Sequence, residues 1–288
     1  MESALQKFAP LSRTVSFNTP SGKIEWGGRN TFVLMAGPDS FESFEMVRDT
    51  AKELKSLTTS LQIPWILKCS FDKANRQSAG SFRGLGMDEA LRGLEKIKGE
   101  LGVTVITDVH ETTQVERVAA VADIIQIPAF LCRQTDLVVA AARTGRVLNI
   151  KKGQFMAPWD MGAIVEKARA AGNDKVLLCE RGASFGYNRL ITDMMSLVEM
   201  RKFGVPVVYD ATHSVQVPGG RGTSSGGLKS MIAPLARAAL ATGIDGIFME
   251  THPDPENALC DGPISVPLHE MGEMLKSLKA IDSVVKGL

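Results

Sequence analysis

Eight short runs of apolar, largely β-branched residues recur along this chain, at Phe32–Met35, Trp65–Leu67, Val103–Ile106, Ile124–Ile127, Val147–Ile150, Val176–Leu178, Val205–Val208 and Ile244–Met249. Between them, apolar residues fall at the three-and-four spacing of an amphipathic helix. One such face holds Phe44, Val47, Ala51, Leu54 and Leu57, and another Met87, Leu91, Leu94 and Ile97. Further faces hold Ile164, Val165 and Ala168, then Leu228, Met231, Ile232 and Leu235, and finally Met271, Leu275, Leu278 and Ile281. Gly145, Gly172, Gly204 and Gly243 each stand just before a run, where a helix ends. Runs this uniformly apolar are buried on both faces, as in a parallel sheet. Eight strands each followed by a helix predict an α/β protein with a (β/α)8 TIM-barrel fold. A doubly wound open sheet would need fewer repeats or a second domain, and no Gly-x-Gly-x-x-Gly follows the first run.

Ahead of the first run, Thr14–Phe17 and Lys23–Trp26 alternate about a Thr19-Pro20-Ser21-Gly22 turn, which predicts a hairpin over residues 13–27. It is too short to stand alone and reads as a cap. The expected organisation is an N-terminal extension and hairpin over 1–30 and a single barrel domain over 31–288. Lys and Arg number 33 against 32 Asp and Glu, so no basic field favours nucleic acid or a membrane surface. No apolar run approaches the ~20 residues of a membrane span. Met1-Glu2-Ser3-Ala4 lacks a signal-peptide profile, and the four scattered cysteines read as reduced thiols. These features predict a cytoplasmic protein that handles small molecules.

In barrels of this kind chemistry sits at the C-terminal ends of the strands. There the chain places Gly37-Pro38-Asp39, Lys68-Cys69-Ser70, Thr107-Asp108-Val109-His110-Glu111 and Gln126-Ile127-Pro128. Lys151-Lys152-Gly153-Gln154, Glu180-Arg181-Gly182, Asp210-Ala211-Thr212-His213 and Glu250-Thr251-His252 follow. Lys68, Lys73, Lys151, Arg76, Arg133 and Arg181 form a cationic set suited to two phosphorylated compounds held together. Asp39, His213, Glu250 and Asp261 form an acidic set able to hold a divalent ion or move protons. The Gly-rich loop Pro218–Gly227 hangs from His213 and reads as a lid, with a helix starting at Leu228.

The segments Lys68-x-Ser70-Phe71-Asp72-Lys73-Ala74-Asn75-Arg76, Ile125–Asp136, Lys151–Phe155, Glu180-Arg181-Gly182 and Asp210–Ser214 closely resemble the 3-deoxy-D-manno-octulosonate 8-phosphate synthase family. The likeness runs in the same order from about Phe32 to the C-terminus. It implies condensation of phosphoenolpyruvate with D-arabinose 5-phosphate, with release of inorganic phosphate, in a homotetrameric barrel that serves lipopolysaccharide core-sugar synthesis. Carried over residue by residue, Lys68, Lys73, Gln126, Lys151 and Arg181 would hold phosphoenolpyruvate. Asn75 and Arg76 would hold arabinose 5-phosphate, joined by Arg133 of a neighbouring subunit. Lys73, His213, Asp261 and Asp39 are the expected catalytic groups, with the division of acid and base among Lys73, His213 and Asp261 left open. No organic cofactor is implied.

Two positions depart from the resemblance. Gln77 stands where the family usually has Ser, beside the sugar phosphate. Asp39 stands where one branch has a metal-binding Cys and the metal-free branch has Asn. If a metal is bound, Asp39, His213, Glu250 and Asp261 suit manganese, iron(II) or magnesium. Cys260-Asp261-Gly262-Pro263 looks like the metal-free branch, and that branch is the expectation. Asp39 with Glu42 also reads as a cap for the next helix. The rivals are the sister synthase that uses erythrose 4-phosphate, and a Schiff-base aldolase acting through Lys68, Lys73 or Lys151.

Overall fold

The computed structural model describes residues 12–19, 22–76, 78, 80–219 and 226–288. The hairpin tip Pro20-Ser21, Gln77 and lid residues 220–225 lie outside the described residues. Strands β1 (Val15–Thr19) and β2 (Gly22–Trp26) pair antiparallel as a sheet of their own. Eight parallel strands follow: β3 (Val33–Gly37), β4 (Trp65–Lys68), β5 (Val105–Asp108), β6 (Ile124–Ile127), β7 (Val147–Lys151), β8 (Val176–Glu180), β9 (Val207–Asp210) and β10 (Gly246–His252). Each pairs with the next in order, and β10 pairs with both β3 and β9, so the sheet closes into a barrel. Helices α1 (Phe44–Ser60), α2 (Met87–Leu101), α3 (Val115–Val121), α4 (Thr135–Arg143), α5 (Met161–Ala170), α6 (Met194–Arg201), α7 (Ile232–Ala241) and α8 (Met271–Lys286) ring it.

Seven of the eight barrel strands run one to three residues past the apolar runs. Ladder hydrogen bonds depend on the backbone, so a charged side chain facing the mouth does not end a strand. Lys68, Asp108, Lys151, Glu180, Asp210 and Glu250 therefore belong to the strands themselves. The last-but-one helix differs from expectation. It begins at Ile232 after a short 3-10 turn, and Leu228 and Met231 precede it as exposed side chains.

Alternation along the strands divides the core in two. Phe32, Leu34 and Ala36 face outward to the helices, where Val47, Ala51 and Leu54 of α1 meet them. Val33 and Met35 face the barrel interior with Ile66, Ile106, Ile124, Val147, Leu177, Val208 and Phe248. Val15, Ile24 and Trp26 of the hairpin join this inner cluster. Trp26 is fully buried and its ring stacks on Phe17 at 5.8 Å, so the hairpin plugs the lower end. At the upper end the strands press close together. A Cβ added at Gly37 would lie 2.1 Å from the Lys68 carbonyl oxygen, which leaves room only for glycine.

Candidate active site

The upper ends of the strands enclose a cavity of about 1090 Å3. Lys68, Lys73, Asn75, Arg76, Gln126, Lys151, Arg181, His213, Glu250 and Asp261 all line it. Two expected residues do not. Asp39 is buried directly behind the wall, in contact with Lys73, and Arg133 is exposed on the segment between β6 and α4.

On one side the charges are organised by a hydroxyl that sequence reasoning gave no role. Ser70 Oγ accepts hydrogen bonds from Lys68 Nζ at 2.9 Å and Lys73 Nζ at 3.0 Å, and donates to Asp108 Oδ1 at 2.5 Å. A hydroxyl has one donor and two acceptor sites, so all of its capacity is used. Asp108 Oδ2 in turn lies 3.2 Å from His110 Nε2. Burial disfavours ionised Asp108, yet the His110 hydrogen bond and the Lys68 charge hold its carboxyl well below the usual range. Both Asp108 and His110 line the cavity.

Lys73 also makes an ion pair with Asp39. Burial pushes Asp39 up, but Lys73 and then Lys68 outweigh it and hold the carboxyl low. Lys73 is correspondingly raised well above its ordinary value: burial lowers it, and Asp39 prevails. Glu250 is different. Lys68 stands 3.6 Å away, both carboxylate oxygens lack a hydrogen-bond partner among the described residues, and burial pushes the carboxyl up to about 7. The proposed cap role of Asp39 is corrected here. Helix α1 is capped by Ser43, whose Oγ accepts from Met46 N at 3.2 Å, because Asp39 is drawn inward by Lys73.

Opposite, Lys151 Nζ lies 2.6 Å from Asp210 and 4.0 Å above the Phe248 ring. Asp210 also accepts from His213 N and faces His213 Nδ1 at 2.9 Å, and His213 Nε2 lies 3.4 Å from Asp261. Burial lowers the imidazole, Asp210 raises it, and the balance is upward. Gln216 bridges the two chemistries: Arg181 donates to its oxygen at 3.0 Å, and its amide donates to Asp261 at 3.2 Å. Burial lowers Arg181. Gln216-Val217 pairs with Gly226-Gly227, which ties the base of the expected lid to these residues.

The acidic set converges as two overlapping groups. Donor atoms of Asp39, His213 and Glu250 lie within 4.8 Å of one another, as do those of Asp39, Cys260 and Asp261. Cys260 had no expected role, and Arg76 donates to its sulfur. Asp261 sits at φ +50°, a left-handed conformation that few non-glycine residues adopt. Asp39 Oδ2 and the two Glu250 oxygens are buried without hydrogen-bond partners among the described residues, and hard oxygen donors of this kind fit a divalent cation. Among the described residues no helix is long and apolar enough to cross a membrane.

Comparison with known proteins places these features in context. The profile of the DAHP synthetase I family matches residues 11–286. The curated 2-dehydro-3-deoxyphosphooctonate aldolase of Thioalkalivibrio sulfidiphilus is 58% identical over 91% of this chain and 94% of its own. Proteins of the same name from Trichlorobacter lovleyi and Geobacter metallireducens are each 57% identical, over 92% of this chain and 97% of their own.

Proposed function

The chain belongs to the DAHP synthetase I family, and from that premise we propose that it catalyses the reaction for which its curated relatives are named. It condenses phosphoenolpyruvate with D-arabinose 5-phosphate and water, giving 3-deoxy-D-manno-octulosonate 8-phosphate and inorganic phosphate for lipopolysaccharide synthesis. The observation that carries this reading is one cavity lined by Lys68, Lys73, Arg76, Lys151 and Arg181 beside the His213–Asp261 pair. Fixed cations hold two mutually repelling anions at reacting distance and meet the alkoxide as it forms.

In this mechanism Lys68, Lys73, Gln126, Lys151 and Arg181 bind phosphoenolpyruvate, and Asn75 and Arg76 bind the aldose phosphate. The enol carbon attacks the aldehyde carbon. Lys73, held protonated by Asp39, delivers a proton to the aldehyde oxygen. Water adds to the cation-like carbon that results, with His213 and Asp261 managing its proton. The phosphohemiketal then collapses with carbon–oxygen cleavage and phosphate leaves. Asp39, His213, Glu250 and Asp261 would hold a divalent ion such as manganese, iron(II) or magnesium, which when bound supplies Lewis-acid polarisation. We place this chain with the metal-independent branch, because the Lys73 and Lys68 ammonium groups already stand against Asp39 and Glu250. A Schiff-base route through Lys73 is disfavoured, since a raised pKa suppresses the neutral amine that such a nucleophile needs.

Exposed Phe130, Phe155, Trp159, Phe185, Tyr187 and Met195 on the segments following β6, β7 and β8 support assembly with further copies of the chain, as a homotetramer. Such contact could bring a neighbour's Arg133 to the sugar phosphate. Four buried, unpaired cysteines support a cytoplasmic setting. The test is phosphate release from phosphoenolpyruvate with arabinose 5-phosphate and erythrose 4-phosphate in turn, with and without a chelator. Turnover fastest with arabinose 5-phosphate and indifferent to chelation is expected. Preference for erythrose 4-phosphate would overturn the substrate, and chelator loss restored by manganese would overturn the metal-independent assignment.

A further inference from the structure

Two polar side chains that the reaction leaves unused sit just outside the Asp39–Cys260–Asp261 group. Glu42 lies three residues beyond Asp39 on the segment between β3 and α1, and His252 is the last residue of β10. One Glu42 oxygen accepts from the backbone N–H of Leu259 at 3.0 Å, and the other stands 3.6 Å from His252 Nε2. His252 Nδ1 accepts from Asp254 N at 3.0 Å. The Leu259 end of the turn leading to Cys260 and Asp261 is thus hydrogen-bonded to this mostly buried carboxylate, while the Asp254 end is bonded to His252, which faces the carboxylate from beyond hydrogen-bond distance. Glu42 is not needed to cap α1, because Ser43 does that.

Such a tie has work to do. Asp39 and Asp261 come from different loops, and ionised carboxylates brought together repel. Asp261 is also held at positive φ, a backbone state that persists only when its surroundings enforce it. Without the tie, both effects would let the loop after β10 relax away from the loop after β3. We propose that Glu42 is a positioning residue: its carboxylate latches the β10–α8 loop onto the β3–α1 loop and so fixes Asp261 and Cys260 against Asp39 and His213. Its effect on rate rests on the condensation proposed above, whereas the latch itself does not.

The experiment compares Glu42→Ala and Glu42→Gln with the wild-type protein. The rate of N-ethylmaleimide labelling at each of Cys69, Cys132, Cys179 and Cys260 is followed by peptide mass spectrometry, alongside kcat, KM and phosphoenolpyruvate binding. All four thiols are buried, so the first three report general loosening and Cys260 reports the latch. In Glu42→Ala, Cys260 alone should label about tenfold or more faster. There kcat should fall roughly 10- to 100-fold with phosphoenolpyruvate affinity retained, the range expected when reacting groups shift by about an ångström. Glu42→Gln keeps an oxygen for Leu259 N–H but loses the charge facing His252, and should fall between. Cys260 labelling at the wild-type rate in both variants, or all four thiols accelerating together, overturns the proposal. If Cys260 is selectively unmasked but wild-type protein releases no phosphate, the reaction assignment fails and the latch stands.

Discussion

Replacing Glu250 by Gln isolates one proton. Burial pushes this carboxyl from its ordinary 4.5 up to about 7, and Lys68 at 3.6 Å offsets only part of that. The reason lies in how the cations are shared. Lys73 pairs directly with Asp39, and Lys68 hydrogen-bonds Ser70, so among the described residues Glu250 is left without a hydrogen bond to either oxygen. A group whose pKa is raised in the fold stabilises it fully below the unfolded value, and that contribution disappears as pH climbs through the folded value. The window here is therefore about 4.5 to about 7. A displacement of that width is worth about 3 kcal/mol, at roughly 1.4 kcal/mol for each pH unit.

Of the neighbouring groups only His213 overlaps the window, and it is present in both proteins compared. Asp39, Asp108 and Asp210 are held low and lose their contribution only at more acid pH, while His213 is raised from 6.5 and enters at its upper edge. The assay is urea unfolding in chelator at closely spaced pH values, for wild type and Glu250→Gln. The substitution adds some constant offset, which does not matter. The wild-type-minus-variant stability should decline by about 3 kcal/mol between pH 4.5 and 7.5, with unchanged denaturant slopes. A flat or rising difference would refute the idea that Glu250 carries the displaced proton.

Two other expectations concern the hub and the plug. Ser70→Ala strands two ammonium groups and Asp108 without their shared partner, and should raise KM for phosphoenolpyruvate roughly tenfold, the cost of about one charge-assisted hydrogen bond; unchanged steady-state kinetics would remove Ser70 from the binding apparatus. Trp26→Ala empties the lower end of the barrel and should cost about 3–5 kcal/mol in urea unfolding while leaving KM unaltered; wild-type stability would mean that the hairpin only rests on the barrel.

The barrel was legible because its signal is periodic: each apolar run and each helical face carries its own evidence, and eight repeats admit few architectures. The cavity lining was legible for the same reason, although alternation sends some strand-end side chains outward, as with Glu180, which accepts from Ser196 of α6. What the sequence could not display is pairing across strands. Ser70 was given no role of its own, because its importance comes from Asp108, 38 residues away on the next strand. Cys260 was read only as part of the Cys260–Pro263 segment, with no role of its own, because its neighbours Arg76 and Asp39 arrive from the opposite end of the chain. Asp39 was misread as a cap because capping is a local pattern and its partner Lys73 is not local.

That failure bears on how the site works. Read along the chain, cations and carboxylates formed two separate sets. Folded, they interleave: Lys73 with Asp39, Lys151 with Asp210, Lys68 with Glu250. Buried pairs of this kind gain little stability over apolar packing, because each ion gives up its water. Their value lies in direction. An ammonium has three donors, so a carboxylate behind it takes one or two and leaves the rest aimed outward at the cavity. In the proposed reaction each lysine would thus meet an arriving phosphate or carboxylate already oriented, with no side chain to be recruited from solvent when the alkoxide forms. On the proposed function, charge balance within the wall and charge presented to the substrate are therefore one arrangement, and the carboxylates would belong to the binding site even where, as with Asp39, they do not line the cavity.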